Sequence, residues 1–230
     1  MDEIDPRARL LRGEIMVQTV GITRAITNLN EAHDKFNLSQ PTDPQFFTEW
    51  FEDLPEITDS EKASLNRLKN RYLYYTASGA ITEGTINIIM VSPLLELMGL
   101  CDPPFKIRGE KYVKVEFENQ GEVESVLEGF IDALVVQNNL WIVLIESKRY
   151  GFSVMQALPQ TLAYMMAHPN SEMPVFGMIT TGEDYIFIKL NQQARHYGIS
   201  NKFTLSNPQK NELHKVMQVM KRIIGLLVQT

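Results

Sequence analysis

Cysteine is almost missing from this chain of 230 residues: there is one, Cys101. That excludes an internal disulfide framework and any cysteine-based zinc site, and it fits a reducing, cytoplasmic setting. Long apolar runs are missing too, so no transmembrane helix is expected. The opening stretch, MDEIDPRARLLRGE, is charged and has no hydrophobic core of the kind a signal peptide needs. Positive charge is in deficit, with a formal net charge of −6 and a pI near 5.3. A protein held to nucleic acid by phosphate contacts alone is therefore disfavoured. An enzyme that meets nucleic acid through a local basic patch and bound cations is not. His33, His168, His196 and His214 show no metal-ligand spacing and take no role, and no internal repeat or low-complexity segment occurs.

What is present is ordinary globular material, 44% hydrophobic and 22% charged, enough for one sizeable domain or a domain with an extension. Residues 6–35 read as helix, with Leu11, Ile15, Ile22, Ile26 and Leu29 at three-, four- and seven-residue steps. Two prolines in NLSQPTDPQ (37–45) mark a candidate boundary. The segment before it reads as a packing arm, an oligomerisation helix or a helix laid on the main body. Thr58 and Glu61 form a capping-box pattern at the start of a helix over 58–75. A second helix over 81–100 contains Pro93, so a kink or break is expected near Ser92.

Strands follow. KYVKVEFE (111–118) alternates cleanly, VLEGFIDALVVQ (126–137) is longer with Gly129 inside it, and LWIVLIESK (140–148) is the most apolar. The Asn138–Asn139 pair between the last two is a tight hairpin signal. A helical pattern over 153–168 holds Pro159, at a kink or in a late first turn. PVFGMIT (174–180) and YIFIKL (185–190) read as paired strands. Ser206 reads as the cap of a last helix with Pro208 in its first turn, whose apolar stripe runs from Leu213 to Leu227. The order of helix, three strands, helix and two strands predicts an α/β fold with a mixed central sheet.

The puzzle is LWIVLIESK, an apolar strand that ends on a carboxylate and an ammonium. Unpaired charge at the edge of a core is costly, so Glu146 and Lys148 need a partner, a solvent opening or a metal. Strand alternation puts the two on one face and Ser147 on the other. Whether Asp132 meets Glu146 depends on register. A strict two-residue loop pairs Asp132 with Ile145, on the wrong face, whereas a three-residue loop or a bulge pairs it with Glu146. If the carboxylates converge, they suit a hard cation such as Mg²⁺, with Lys148 beside it. An ordinary ion pair at a solvated strand end is the plainer alternative.

The stretch EGFIDALVVQNNLWIVLIESKR resembles the core motif of PD-(D/E)XK nucleases, an Asp on one strand and Glu-x-Lys on the next. The closer similarity is to the N-terminal nuclease domain of type I restriction enzyme R subunits and its stand-alone relatives. Gly129 and Asp132 match that group's Gly-x-x-Asp. Glu146 and Lys148 match its Glu-x-Lys, and Gln160 and Tyr164 its Gln-x-x-x-Tyr on the following helix. Glu83, Thr85, Pro93, Leu95 and Gly99 match its early helix. The match spans about residues 81–190; Ile131 stands where the motif's name has proline. No G-x-x-x-x-G-K-[ST] stretch occurs, so the motor of a full R subunit is missing.

The resemblance implies a restriction-endonuclease-like core over 41–230 with a C-terminal helix, preceded by a helical extension over 1–40. It implies DNA as partner, with a homodimer left open, and Mg²⁺, or Mn²⁺ in its place, held by Asp132 and Glu146 with Glu83 as a further ligand or helper. Lys148 would assist the attacking water, and Gln160 and Tyr164 would orient DNA or the catalytic groups. Alternatives stand beside these roles. Glu83 also suits a helix N-terminus, and Glu96 is a weaker candidate for its place. Gln160 and Tyr164 share a helix face and could simply pack. Tyr72, Tyr74 and Tyr75 could stack bases, but helix packing is the plainer account of them. A non-catalytic module that keeps the nuclease fold for binding or assembly is the second functional expectation.

Overall fold

A strand whose side chains are apolar on both faces needs cover on both, and that demand organises the molecule. The computed structural model describes residues 16–117, 123–137 and 140–228. They form a mixed α/β fold around an eight-stranded mixed sheet. In chain order the elements are β1 (Met16–Gly21), α1 (Ile22–Ala25), α2 (Leu29–Phe36), α3 (Asp59–Thr76) and α4 (Glu83–Ile86). Then come α5 (Ser92–Leu97), β2 (Lys106–Phe117), β3 (Val123–Gln137), β4 (Leu140–Ser147) and α6 (Leu158–Met165). The chain continues through β5 (Val175–Thr180), β6 (Asp184–Asn191), β7 (His196–Ile199), β8 (Phe203–Thr204) and α7 (Leu213–Val228).

The sheet runs β1-β3-β4-β5-β6-β7, with β2 also paired to β3 and β8 to β6. The pairs β1–β3 and β4–β5 are parallel, and the others antiparallel. Val143 and Ile145 enter one core with Leu65, Leu68 and Tyr72 of α3, Ile86 of α4 and Met217 and Met220 of α7. Leu144 enters the other, with Ile22, Phe36, Leu162 of α6 and Tyr197. The apolar run of β4 is thus consumed alternately by two cores.

The helix expected over 6–35 is not what forms across its described part. Residues 16–21 make β1, parallel to β3, and only then do the short helices α1 and α2 appear. Pairing with β3, far along the chain, claims residues 16–21, and Ile22 and Leu29 instead open two short separate helices. The expectation for Leu11 and Ile15 lies outside the described residues. Beyond α2, Leu38 is buried and Ser39 bridges to His196 at the sheet edge.

The Thr58–Glu61 capping box is present, with Thr58 Oγ1 accepting from the Glu61 N–H and the Glu61 side chain accepting from the Thr58 N–H. Before Pro93 the helix widens into a π turn over Asn87–Val91. Proline lacks an N–H and crowds the carbonyl four residues back, that of Ile89. The Arg71 guanidinium donates to that carbonyl at 3.2 Å. Ser206 does not cap the last helix. It lies in a turn seven residues earlier, Pro208 also falls outside the helix, and α7 begins at Leu213, whose N–H donates to Asn211 Oδ1. The break at Pro159 is a 3-10 turn over Val154–Gln156 that leads into α6 with the proline in its first turn.

Gly129 of β3 lies under the Tyr164 ring of α6. A Cβ at this position would stand 2.7 Å from Tyr164 Cε1 and 3.1 Å from its hydroxyl. Gly129→Ala should therefore destabilise the protein by about 1–3 kcal/mol through overpacking, read as a lower urea midpoint. In a double-mutant cycle with Tyr164→Leu the two effects should be strongly non-additive, because shortening the ring removes the clash.

Candidate active site

The register that decides whether the carboxylates converge is set by a bulge. Gln137 pairs with Leu140 and Val136 with Trp141, as a two-residue connection requires. Then the pairing slips: Val135 faces Val143, Leu134 faces Leu144 and Ala133 faces Ile145. Ile142 is the extra residue, and the next step beyond the ladder brings Asp132 opposite Glu146. The Asn138–Asn139 connection itself lies outside the described residues.

The ladder stops where the site begins, and the Asp132 side chain takes over the next backbone donor. Its Oδ2 accepts from the Ser147 N–H at 2.7 Å and from Ser147 Oγ at 2.9 Å. Strict alternation assigned Ser147 to the opposite face and gave it no role. The structure gives Ser147 a role all the same, because the β3–β4 pairing ends before it and leaves its N–H and hydroxyl to Asp132, while it stays paired with Thr180 of β5. On the far side, the Lys148 N–H donates to the Thr180 carbonyl at 2.8 Å, tying the end of β4 to β5.

Glu146 is 1% exposed. Its Oε1 accepts from Lys148 Nζ at 2.5 Å and from Gln160 Nε2 at 3.2 Å, and Gln160 Nε2 also donates to the Tyr164 hydroxyl at 2.7 Å. The i,i+4 pair on α6 is therefore bonded to the carboxylate as well as packed. Its other oxygen, Oε2, is buried without a hydrogen-bond partner. Burial above all, and then the charge of Asp132, pushes the Glu146 carboxyl up to about 8 against the pull of Lys148. Burial pulls Lys148 down, but Glu146, Asp132 and Glu83 together carry it above the usual lysine value. Lys148 is thus held as an ammonium donating to Oε1, while no donor reaches Oε2.

Glu83 opens α4 behind the Thr82 cap. It is half-buried, and burial and Asp132 raise its carboxyl while Lys148 lowers it. The helix-N-terminus role and the place near the site hold together. Glu96 lies elsewhere, in a groove with Arg67 and Arg71 between α3 and α5. Tyr72 is buried in the core, whereas Tyr74 and Tyr75 are exposed at the end of α3.

Two crowded carboxylates, an orphaned buried oxygen and a raised carboxyl fit a hard divalent cation bound by Asp132 and Glu146. Among the described residues no three His, Cys, Asp or Glu side chains gather into a group that could hold a metal, so Glu83 does not join Asp132 and Glu146 in the expected three-carboxylate set. Mg²⁺ takes one or two carboxylates and keeps several waters. No protein-family model matches the chain, and no curated protein sequence does either.

The raised Glu146 carboxyl has a pH signature. The folded state holds the proton that the unfolded chain releases near pH 4.5. This contribution to stability is complete below that pH and declines as the pH rises towards about 8. Wild type should lose stability across that window in metal-free buffer, and Glu146→Gln should show a flatter profile in urea titrations from pH 5 to 8.

Proposed function

We propose that this protein is a metal-dependent nuclease that hydrolyses phosphodiester bonds, with DNA as its substrate. The run from α4 through β2, β3, β4 and α6 to β5 is read as a restriction-endonuclease-like core. The observation that carries the reading is the bulge-set meeting of Asp132, Glu146 and Lys148 at one strand end, with one buried Glu146 oxygen left partnerless.

Asp132 and Glu146 would hold Mg²⁺ or Mn²⁺. Bound there, the ion lowers the pKa of a water and neutralises a phosphoryl oxygen. Ser147 holds the Asp132 carboxylate in place through two bonds to Oδ2. Gln160 fixes Glu146 and is itself aligned by the Tyr164 hydroxyl. Lys148 stays protonated, so it orients the attacking water and offsets negative charge in the transition state instead of acting as a base. In the reaction the water oxygen bonds to phosphorus and loses its proton to solvent. The P–O ester bond breaks, and the leaving alkoxide takes up a proton. The products are a phosphate monoester end and a hydroxyl end. Glu83, near enough to feel Asp132 and Lys148, fits a helper of the metal shell. A non-catalytic binding module would have no use for the full set of Asp132, Glu146 and Lys148.

Purified protein with Mg²⁺ or Mn²⁺ should cleave plasmid DNA, and Lys148→Ala or Asp132→Asn should reduce the rate by about 100-fold or more while the circular dichroism spectrum is retained. Because a ligating Glu146 must shed its proton, cleavage should rise between pH 6 and 8. Equal cleavage by wild type and Lys148→Ala would overturn the assignment, and EDTA should abolish turnover.

A further inference from the structure

The ammonium of Lys148 lies directly on one of the two acids assigned to the ion. Nζ donates to Glu146 Oε1 at 2.5 Å, and the side chains are 16% and 1% exposed. Glu146 Oε2 is buried and has no hydrogen-bond partner. Two side chains are bonded to Glu146, those of Lys148 and Gln160, and both reach solvent in part. They differ in freedom. Gln160 sits on α6 with its amide shared between Glu146 and the hydroxyl of Tyr164, which is 2% exposed. Lys148 follows the last residue of β4. Its N–H is tied to the Thr180 carbonyl, but its four-carbon stem ends in one bond among the described residues, the one to Glu146. Lys148 is therefore the movable part of the cover over Glu146, and it is also the counter-ion of that acid.

We infer that Lys148 is the gate of the ion site: its ammonium holds Glu146 as an internal counter-ion and must swing off Oε1 for a divalent cation to enter. The inference rests on the nuclease reading of this site and adds an order of events to it. Entry of the ion and release of the ammonium are one step, so Lys148 becomes free to attend the attacking water only in the loaded site. Oxygen ligands of Mg²⁺ stand at about 2.0–2.1 Å, so an ion on Glu146 and an ammonium on the same carboxylate are close neighbours and repel. A lysine that only braced the site predicts the opposite sign, because its removal would loosen Glu146 and weaken ion binding. A proton taking the place of the ammonium carries half the charge of the ion, so the ion gains more from the loss of Lys148 than the proton does.

The test is calorimetric titration of Mn²⁺ into the EDTA-stripped, dialysed full chain. Lys148→Met keeps much of the stem and removes the charge, and it should bind Mn²⁺ about tenfold more tightly than wild type. Lys148→Arg keeps the charge and should bind no more tightly than wild type. Metal-free Lys148→Met should melt below wild type, and saturating Mn²⁺ should raise its Tm by the larger amount. Mn²⁺ binding by Lys148→Met that equals or falls below that of wild type overturns the gate. A measurement on wild type alone stands beside the variants. The Nζ protons of isotope-labelled Lys148 should be protected from exchange in EDTA and lose that protection in saturating Mg²⁺; protection kept in Mg²⁺ overturns the gate. A plasmid cleavage assay keeps the two ideas apart. Tighter binding by Lys148→Met in a protein whose wild type cleaves nothing would sink the nuclease reading alone. Metal-dependent cleavage by wild type with no gain in binding by Lys148→Met would sink the gate alone, and no Mn²⁺ binding by any of the three proteins would sink both.

Discussion

A carboxylate buried at the end of the central strand is the constraint around which the candidate site is arranged. Glu146 follows the buried Val143, Leu144 and Ile145, lies beside a second acid and keeps one oxygen without a partner. An isolated carboxylate in such a place would neutralise itself or be expelled. It stays because Lys148 and Gln160 share Oε1, and because β5 and α6 hold their donors in place. The raised carboxyl is the residual of that balance. A site poised in this way costs stability, as an ordinary surface ion pair does not.

The supports of this arrangement are modest and local. One extra residue, Ile142, shifts the register so that an acid on β3 comes opposite an acid on β4. One missing side chain, at Gly129, leaves room against β3 for the Tyr164 ring, whose hydroxyl accepts from Gln160 one turn back on α6. One backbone donor, the Ser147 N–H, is released when the ladder ends and is taken by Asp132. Each is a backbone irregularity or a glycine, and each sits where a regular sheet would have put the wrong groups together. Bulges next to functional sites commonly serve to re-aim side chains in this way.

Much of this arrangement could be read along the chain, and the failures have physical causes. Asp132, Glu146 and Lys148 stood out because charge at the end of an apolar run is costly enough to need a reason. The helix expected over 6–35 failed because Val17, Thr19 and Val20 find a parallel partner in β3, and no local pattern encodes a partner so remote. Ser147 was passed over because alternation along one strand says nothing of which neighbouring side chain will take up a backbone N–H that the ladder leaves unpaired.

By itself the sequence determined the apolar period of each strand, the caps and proline breaks, and the residue types able to do acid chemistry. These are local, since they depend on neighbours within a few positions. Tertiary structure alone decided the register of β3 against β4 and the burial of Glu146. Those depend on which distant segments compete for the same surface. A one-residue shift in pairing exchanges the two faces of a strand. That is why the same nine residues, LWIVLIESK, could spell either an ion pair in solvent or a buried acid beside Asp132, and why the bulge at Ile142 was needed to choose.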